Sequence, residues 1–461
     1  MLLRSIKSWT ITWALMVLVF FNYFVDIERS TAPLAKHQPI YWDAISYYCY
    51  LPATFIHGDP SMLFTQRDEN AYKDRYWPEK APNGGLVSKT TMGVAYLYAP
   101  FFFAAHVYAL HYGFPADGFS QPYQYAIQLS GLVYGLLGLL LVALVLRRYF
   151  SDTVVTFSIL CLGFGTNLFN YMTHEAAMSH AFLFFATAAL LWLNERWHAS
   201  PSAFLSFCLG LGIGLITLIR PVNLLVVLVP LCFGGRSETA FLRWKSLRNQ
   251  PIWLLYLILG AFLIGFPQLL YWKAYAGQWL FFSYTGERFI WTKPMWLEFL
   301  FSYRKGWFVY SPLLLLAVAG LFFKHKANAQ YRWSIMLLLP LLVYILSCWW
   351  AWWFGGSFGS RSMVDWYALL IIPFAVFLNW AFSHVGRLIP TALVLALLID
   401  LSLAQQFQYK HGIIHFDAMT KRAYWAMFYG KVPDGLEEML QHPNYRLNLK
   451  GGREEVETIF D

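Results

Sequence analysis

The sequence predicts an all-α, polytopic integral membrane protein, and three observations carry that prediction. Of its 461 residues, 58% are hydrophobic and 20% aromatic, while only 13% are charged, about half the roughly 25% charge of soluble domains. Apolar runs of about 20 residues, the length at which a helix crosses the hydrocarbon, recur along the chain. The basic residues behind the net charge of +9 sit in short clusters between those runs, where they read as orientation signals. The lipid bilayer is the expected partner, and no nucleic acid is.

A ruler of about 20 residues predicts about 11 transmembrane helices, near 9–25, 123–146, 152–171, 177–194, 203–219, 222–234, 252–272, 306–323, 332–350, 363–382 and 388–407. The start, MLLRSIKSWTITWALMVLVFFNYF, sets Arg4 and Lys7 before an apolar run with no small-residue cleavage site, so it reads as an uncleaved first helix. Residues 91–111, TMGVAYLYAPFFFAAHVYALH, are apolar enough for a further span. Counting them inverts every later loop. Treating them as an interfacial, half-buried helix broken at Pro100 puts Arg147, Arg148, Arg196, Arg236, Arg243, Lys245, Arg248, Lys324, Lys326 and Arg387 on the cytoplasmic side. The positive-inside rule selects this second arrangement.

The outer face then holds residues 26–122, the junctions at 171–180 and 219–223, residues 273–305, the segment 349–361 and a tail from about 408. Residues 1–407 form one membrane domain, with 26–122 as its first outer loop, and 408–461 form a tail too short to bury a core of its own. The unusual polar residues collect on this outer rim. An inverted-repeat transporter holds such residues at mid-membrane instead, so the asymmetry places the chemistry outside. Cys49, Cys161, Cys208, Cys232 and Cys348 are scattered and form neither a CxxC pair nor a disulfide framework.

Asp43, in YWDAISYYCYLP, lies against an aromatic wall and suits a general base near the membrane surface; the plainer reading is an N-cap for the helix that follows. THEAAMSH offers His174, Glu175 and His180, but lacks the HExxH spacing that sets two zinc ligands on one helix face. Lys89, Arg220, Arg304 and Lys305 are cations at span ends, able to hold a phosphate or to snorkel to headgroups. Glu287 and Arg288 read as a self-neutralising pair. In WWAWWFGGSFGSRSMVD the tryptophans read as an interface belt. Its glycines form a tight turn that delivers Arg361, with Asp365 placed to orient it at i, i+4.

Together, the outer-loop aspartate, the lysine before an apolar segment, the HE at a span end, GWFVYSP and WWFGGSFGSRSMVD resemble the GT-C superfamily of membrane glycosyltransferases. The likeness is greatest to bacterial proteins of the protein-mannosyltransferase and aminoarabinose-transferase type, family 39, and covers roughly residues 1–407. It implies a helical bundle with amphipathic helices in the first periplasmic loop and a cavity facing the periplasm across a bacterial inner membrane. It also implies inverting transfer of a sugar from a polyprenyl-phosphate-linked donor to a hydroxyl of a glycan, lipid or protein acceptor. By that resemblance Asp43 is the general base, Lys89 contacts the carrier phosphate, and His174, Glu175, Arg304, Lys305 and Arg361 line the donor site; His180 and Arg220 join them as substrate-binding candidates on their chemistry and place at span ends. Many relatives carry an acidic pair where this chain has Asp43 alone, which leaves a divalent metal open. The chemistry needs a base on one side of the anomeric carbon and positive charge at the departing phosphate on the other. Two rivals stay open: a periplasmic polysaccharide polymerase or ligase that uses arginines without an aspartate base, and a lipid-linked sugar flippase.

Overall fold

The computed structural model describes residues 8–30, 38–235, 250–428, 430 and 432–461. Arg4, Lys7, Arg236, Arg243, Lys245 and Arg248, which the orientation argument uses, lie outside them. Among the described residues the regular structure is helical, apart from one two-stranded hairpin, Glu79–Lys80 with Leu86–Val87. The principal helices are α1 (Ser8–Ser30), α2 (Asp43–Tyr48), α3 (Tyr50–Phe55), α4 (Gly93–Tyr112), α5 (Gln121–Leu146), α6 (Asp152–Phe164), α7 (Ser179–Ala199), α8 (Ala203–Ile219), α9 (Pro251–Ala276), α10 (Lys326–Cys348), α11 (Tyr367–Phe382) and α12 (Val385–Lys410).

Seven described helices are long and apolar enough to cross a membrane, against the eleven spans expected. Six coincide with expected spans, and the seventh is α4. The other five expected spans are present as shorter, interrupted or more polar helices. Gly165 ends α6, Pro312 lies between Trp307–Tyr310 and Leu314–Gly320, and α7 carries Asn194, Glu195 and Arg196 near its C-terminus. These pieces still run the depth of the bundle. Beside α5, Gly131 abuts Ala176, Gly138 abuts Phe184, and Arg148 pairs with Glu195 at 2.9 Å.

The break expected at Pro100 does not occur. Helix α4 continues through it, because a proline forfeits one backbone hydrogen bond and helical neighbours on both sides hold the remainder. Its placement fits a helix lying across one end of the bundle. Gly93 abuts Ile219 at the C-terminal end of α8, and His106 Nδ1 lies 2.5 Å from the hydroxyl of Tyr123 in the first turn of α5. Both halves thus meet the same end of the bundle. About 20 Å of helix separates them, so a crossing helix would meet opposite ends.

Close backbone approach holds α8 against α9. A Cβ at Gly210 would sit 2.0 Å from the Leu257 carbonyl oxygen, and one at Gly260 2.2 Å from that of Phe207. Small residues at such a crossing let the two backbones touch, which is how helices associate in lipid. At the end away from α4, the buried Glu195 carboxylate accepts from Arg148, from the Tyr149 hydroxyl at 2.5 Å and from the Tyr331 hydroxyl at 2.7 Å. That knot ties α5, α7 and α10 at the end where the sequence clusters its cations.

The tail has no core of its own. Ile414, Met419, Ala423, Tyr424 and Met427 pack on Tyr303, Tyr310 and Phe358 from the bundle. Arg453 fixes the distal tail by donating to the carbonyls of Lys293, Ser347, Cys348, Trp349 and Trp350. A guanidinium there satisfies carbonyls that the C-terminus of α10 leaves without helical partners.

Candidate functional site

At the end of the bundle that carries α4, a cavity of about 280 Å³ brings together residues from six distant stretches of the chain. Asp43, Lys89, Arg220 and Arg361 supply its charges, with Glu287 beside Lys89. Tyr47, Tyr284, Trp349, Trp350 and, from the tail, Tyr445 supply aromatic surface. Of the nine site residues expected from the sequence, the four named first line this cavity. His174, Glu175, His180, Arg304 and Lys305 stand behind its wall.

Asp43 is the first residue of α2 and caps nothing. The N-cap position is Trp42, with no side-chain cap hydrogen bond, so the plainer expectation for Asp43 is not what the fold does. Its carboxylate faces the cavity, 45% exposed, and accepts from Arg361 Nη2 at 2.9 Å. Burial beneath the rim pushes the carboxyl up. The charge and hydrogen bond of Arg361, helped by Lys89 and Arg220, outweigh that and hold it below the usual carboxylate range. Trp42 itself has φ of 46°, a conformation costing of order 1–3 kcal/mol in a bulky residue. The backbone is therefore held under strain directly before the carboxylate.

The glycine-rich segment supplies the partner. Phe354, Gly355 and Gly359 take φ of 59°, 66° and 58°, turning the chain back so that a 3₁₀ helix, Arg361–Trp366, begins at the cavity. Arg361 and Asp365 do not pair, contrary to expectation. With about three residues per turn, positions i and i+4 diverge around a 3₁₀ helix. Asp365 points instead into a buried knot, where His180 Nδ1 lies 2.8 Å from Oδ1 while Asn223 Nδ2 at 3.0 Å and Arg220 Nη1 at 3.6 Å approach Oδ2. Asp365 thereby holds Arg220, whose side chain reaches the cavity.

Nor is the tryptophan run an interface belt. Trp352 and Trp353 are buried inside the protein; Trp349 and Trp350 form cavity wall, and Trp350 donates its Nε1 hydrogen to Glu287 Oε2 at 3.1 Å. Glu287 also meets Lys89 Nζ at 2.5 Å, so it neutralises Lys89 rather than its chain neighbour Arg288.

Behind the wall, Glu175 accepts from the Tyr409 hydroxyl at 2.7 Å and from Asn170 at 3.2 Å. The ring of His174 lies edge-on to Tyr409. Arg304 is buried, donating to Glu454 and to the Gln441 carbonyl, each at 2.8 Å. Lys305 donates to the carbonyls of Ser357 and Phe416, bolting the glycine turn to the tail. Burial pushes its ammonium down to about 7, against the opposing pull of Glu175 and Asp417. These two cations are structural fasteners in this fold, not cavity groups.

The residues at Asp43 do not suit a divalent metal. A single carboxylate faces three cations, and the other cavity carboxylate, Glu287, is engaged by Lys89. A hard cation takes several oxygen ligands, whereas positive charge surrounds this one. The arrangement instead suits an anion. Three cationic side chains converge beside a carboxylate, with aromatic faces for a ring-shaped or apolar ligand.

Tyr445, Asn223 and Tyr284 belong to the site without a sequence signal of their own. Tyr445 reaches the cavity from a tail 84 residues beyond Arg361, and only packing brings it there. No protein-family model and no curated protein matches the chain. Among solved structures, it is similar to the oligosaccharyltransferase of Archaeoglobus fulgidus in its apo form, with a TM-score of 0.48 and 13% identity over 94% of this chain and 60% of that one. The chain thus spans about 60% of the length of that structure.

Proposed function

We propose that the protein is an inverting membrane glycosyltransferase that moves a sugar from a polyprenyl-phosphate-linked donor to an acceptor hydroxyl of a glycan, lipid or protein. The observation that carries this is the meeting of Asp43 with Arg361, Lys89 and Arg220 in one cavity at one end of a membrane bundle. On this reading the acceptor oxygen attacks the anomeric carbon as its proton passes to the Asp43 carboxylate. The bond from that carbon to the phosphate oxygen breaks on the opposite face, and the polyprenyl phosphate leaves with its charge held by the three cations.

The Asp43–Arg361 bond gives the cycle an order. A donor phosphate competes for the guanidinium, and an aspartate released from it is the stronger base. Lys89 is held for the same phosphate by Glu287, and Arg220 by Asp365. Aromatic faces at Trp349, Trp350 and Tyr284 suit a sugar ring. The basic clusters at the opposite end of the bundle favour a cavity facing the periplasm of a bacterial inner membrane.

Mass spectrometry of lipids from cells lacking the protein tests the donor. A monoglycosylated polyprenyl phosphate should accumulate, and its absence would sink the donor assignment. With purified protein in detergent, sugar transfer from such a lipid separates an enzyme from a flippase, which moves its lipid without breaking the glycosidic bond.

A further inference from the structure

Outside the cavity, three ligand-bearing side chains of the tail converge. His415, Asp417 and His442 each place a donor atom within 4.8 Å of the other two. We propose that they bind one divalent transition-metal ion of the zinc type, which fastens the tail to the turn carrying Arg361.

The local hydrogen bonding calls for a cation. The backbone amides of Asp417 and Ala418 point at His415 Nδ1, at 3.2 and 3.1 Å. A ring nitrogen that accepts two amide hydrogens presents a lone pair, not a proton. Facing it at 3.3 Å is Asp417 Oδ1, which receives no hydrogen bond although Asp417 is only 4% exposed. With its one lone pair turned to the two amides, Nδ1 offers that oxygen no proton, so a buried carboxylate oxygen of Asp417 is left open to a cation, and the ring keeps its other nitrogen for ligation. His442 closes the third side, its ring 5.3 Å from that of His415, with Nε2 at 2.7 Å from Glu437 Oε1. A carboxylate on a ligating histidine is the usual orienting partner, or a fourth ligand.

Two imidazoles and a carboxylate suit zinc, cobalt or nickel, whereas calcium and magnesium select oxygen ligands. A tetrahedral ion with bonds of about 2.0–2.1 Å holds its ligands about 3.4 Å apart, so the three groups close slightly to take it. Phe416, between two of the ligands, accepts from Lys305 Nζ and from the Ser357 amide, and its ring lies against Gly356. Asp417 Oδ2 accepts from the hydroxyl of Tyr445, a cavity residue, at 2.8 Å. The ion therefore holds two parts of the cavity wall, and the site stands whether or not the cavity transfers sugars.

The test uses full-length protein in detergent, stripped with a chelator and titrated with zinc or cobalt. One zinc should bind per chain and raise Tm, and cobalt should give the visible absorption of a tetrahedral site. His442 is exposed enough for His442→Gln to leave the fold intact, and this change should weaken zinc binding by at least about 100-fold. His415→Gln should abolish the cobalt spectrum. Either no zinc-linked rise in Tm, or a rise that survives both substitutions, overturns the proposal. The cluster is then an ion pair between a protonated His415 and Asp417.

Discussion

Arg361 Nη2 and Asp43 Oδ2 are joined at 2.9 Å across 318 residues of sequence. The last third of the chain thereby holds the one cavity carboxylate that lacks a lysine partner.

Replacing Asp43 by Asn removes the base while preserving the shape of the site. Turnover should fall by about 10²–10⁴-fold, while donor binding, measured with labelled polyprenyl phosphate, should be retained or tightened because Arg361 is released. Retained turnover would shift the assignment to a ligase that works through arginines.

Arg361→Ala should weaken donor binding and also change the pH profile. Arg361 holds the Asp43 carboxyl below its ordinary range, so the wild-type base stays ionised well into the acid range. Without the guanidinium the Asp43 pKa rises, and the acid limb of kcat/KM should move to higher pH. Arg361→Lys keeps the charge but loses the planar fork, so it should restore the limb better than the affinity. A profile unmoved by Arg361→Ala would show that Asp43 is not the titrating base.

Asp365→Ala should destabilise the protein by about 3–5 kcal/mol, the cost of breaking a buried ion pair, because His180, Asn223 and Arg220 lose their common acceptor. Thermal unfolding in detergent measures it. Asp365→Asn keeps one acceptor and should lose less. Equal stability of all three proteins would show that the knot contributes nothing to folding.

Lys305 predicts a pH dependence of stability. Its folded pKa is lowered to about 7, below that of the unfolded chain, so between those values the unfolded state binds the extra proton and stability rises with pH. The gain is complete above the unfolded lysine pKa and is lost as pH falls through about 7. Lys305→Met should flatten Tm against pH on the alkaline side. It should also cost about 1–3 kcal/mol by leaving the Ser357 and Phe416 carbonyls short of a donor.

Much of the architecture is legible before folding because lipid imposes one length scale and one charge rule on every helix. That is why 123–146 and 388–407 are visible as spans, and why Lys89, Arg220 and Arg361 can be gathered to one rim. Composition does not decide the placement of helix α4. Its composition is that of a crossing helix, and contacts with Ile219 and Tyr123 are what lay it across the end of the bundle. Charge alone cannot say which cations face a cavity. Arg304 and Lys305 carry the same signal as Arg220, yet Glu454, Gln441, Ser357 and Phe416 engage them inside the protein. Asp365 was visible only as a neighbour of Arg361, because its real partners depend on how α7 and α8 dock.

Tyr445 in the cavity wall has a practical consequence for anyone handling this protein. Truncating the chain behind α12 would not trim a dispensable extension. It would remove a face of the cavity together with the Arg453 clamp, so a shortened version that folds but has lost activity would report a dismantled pocket, not a missing domain.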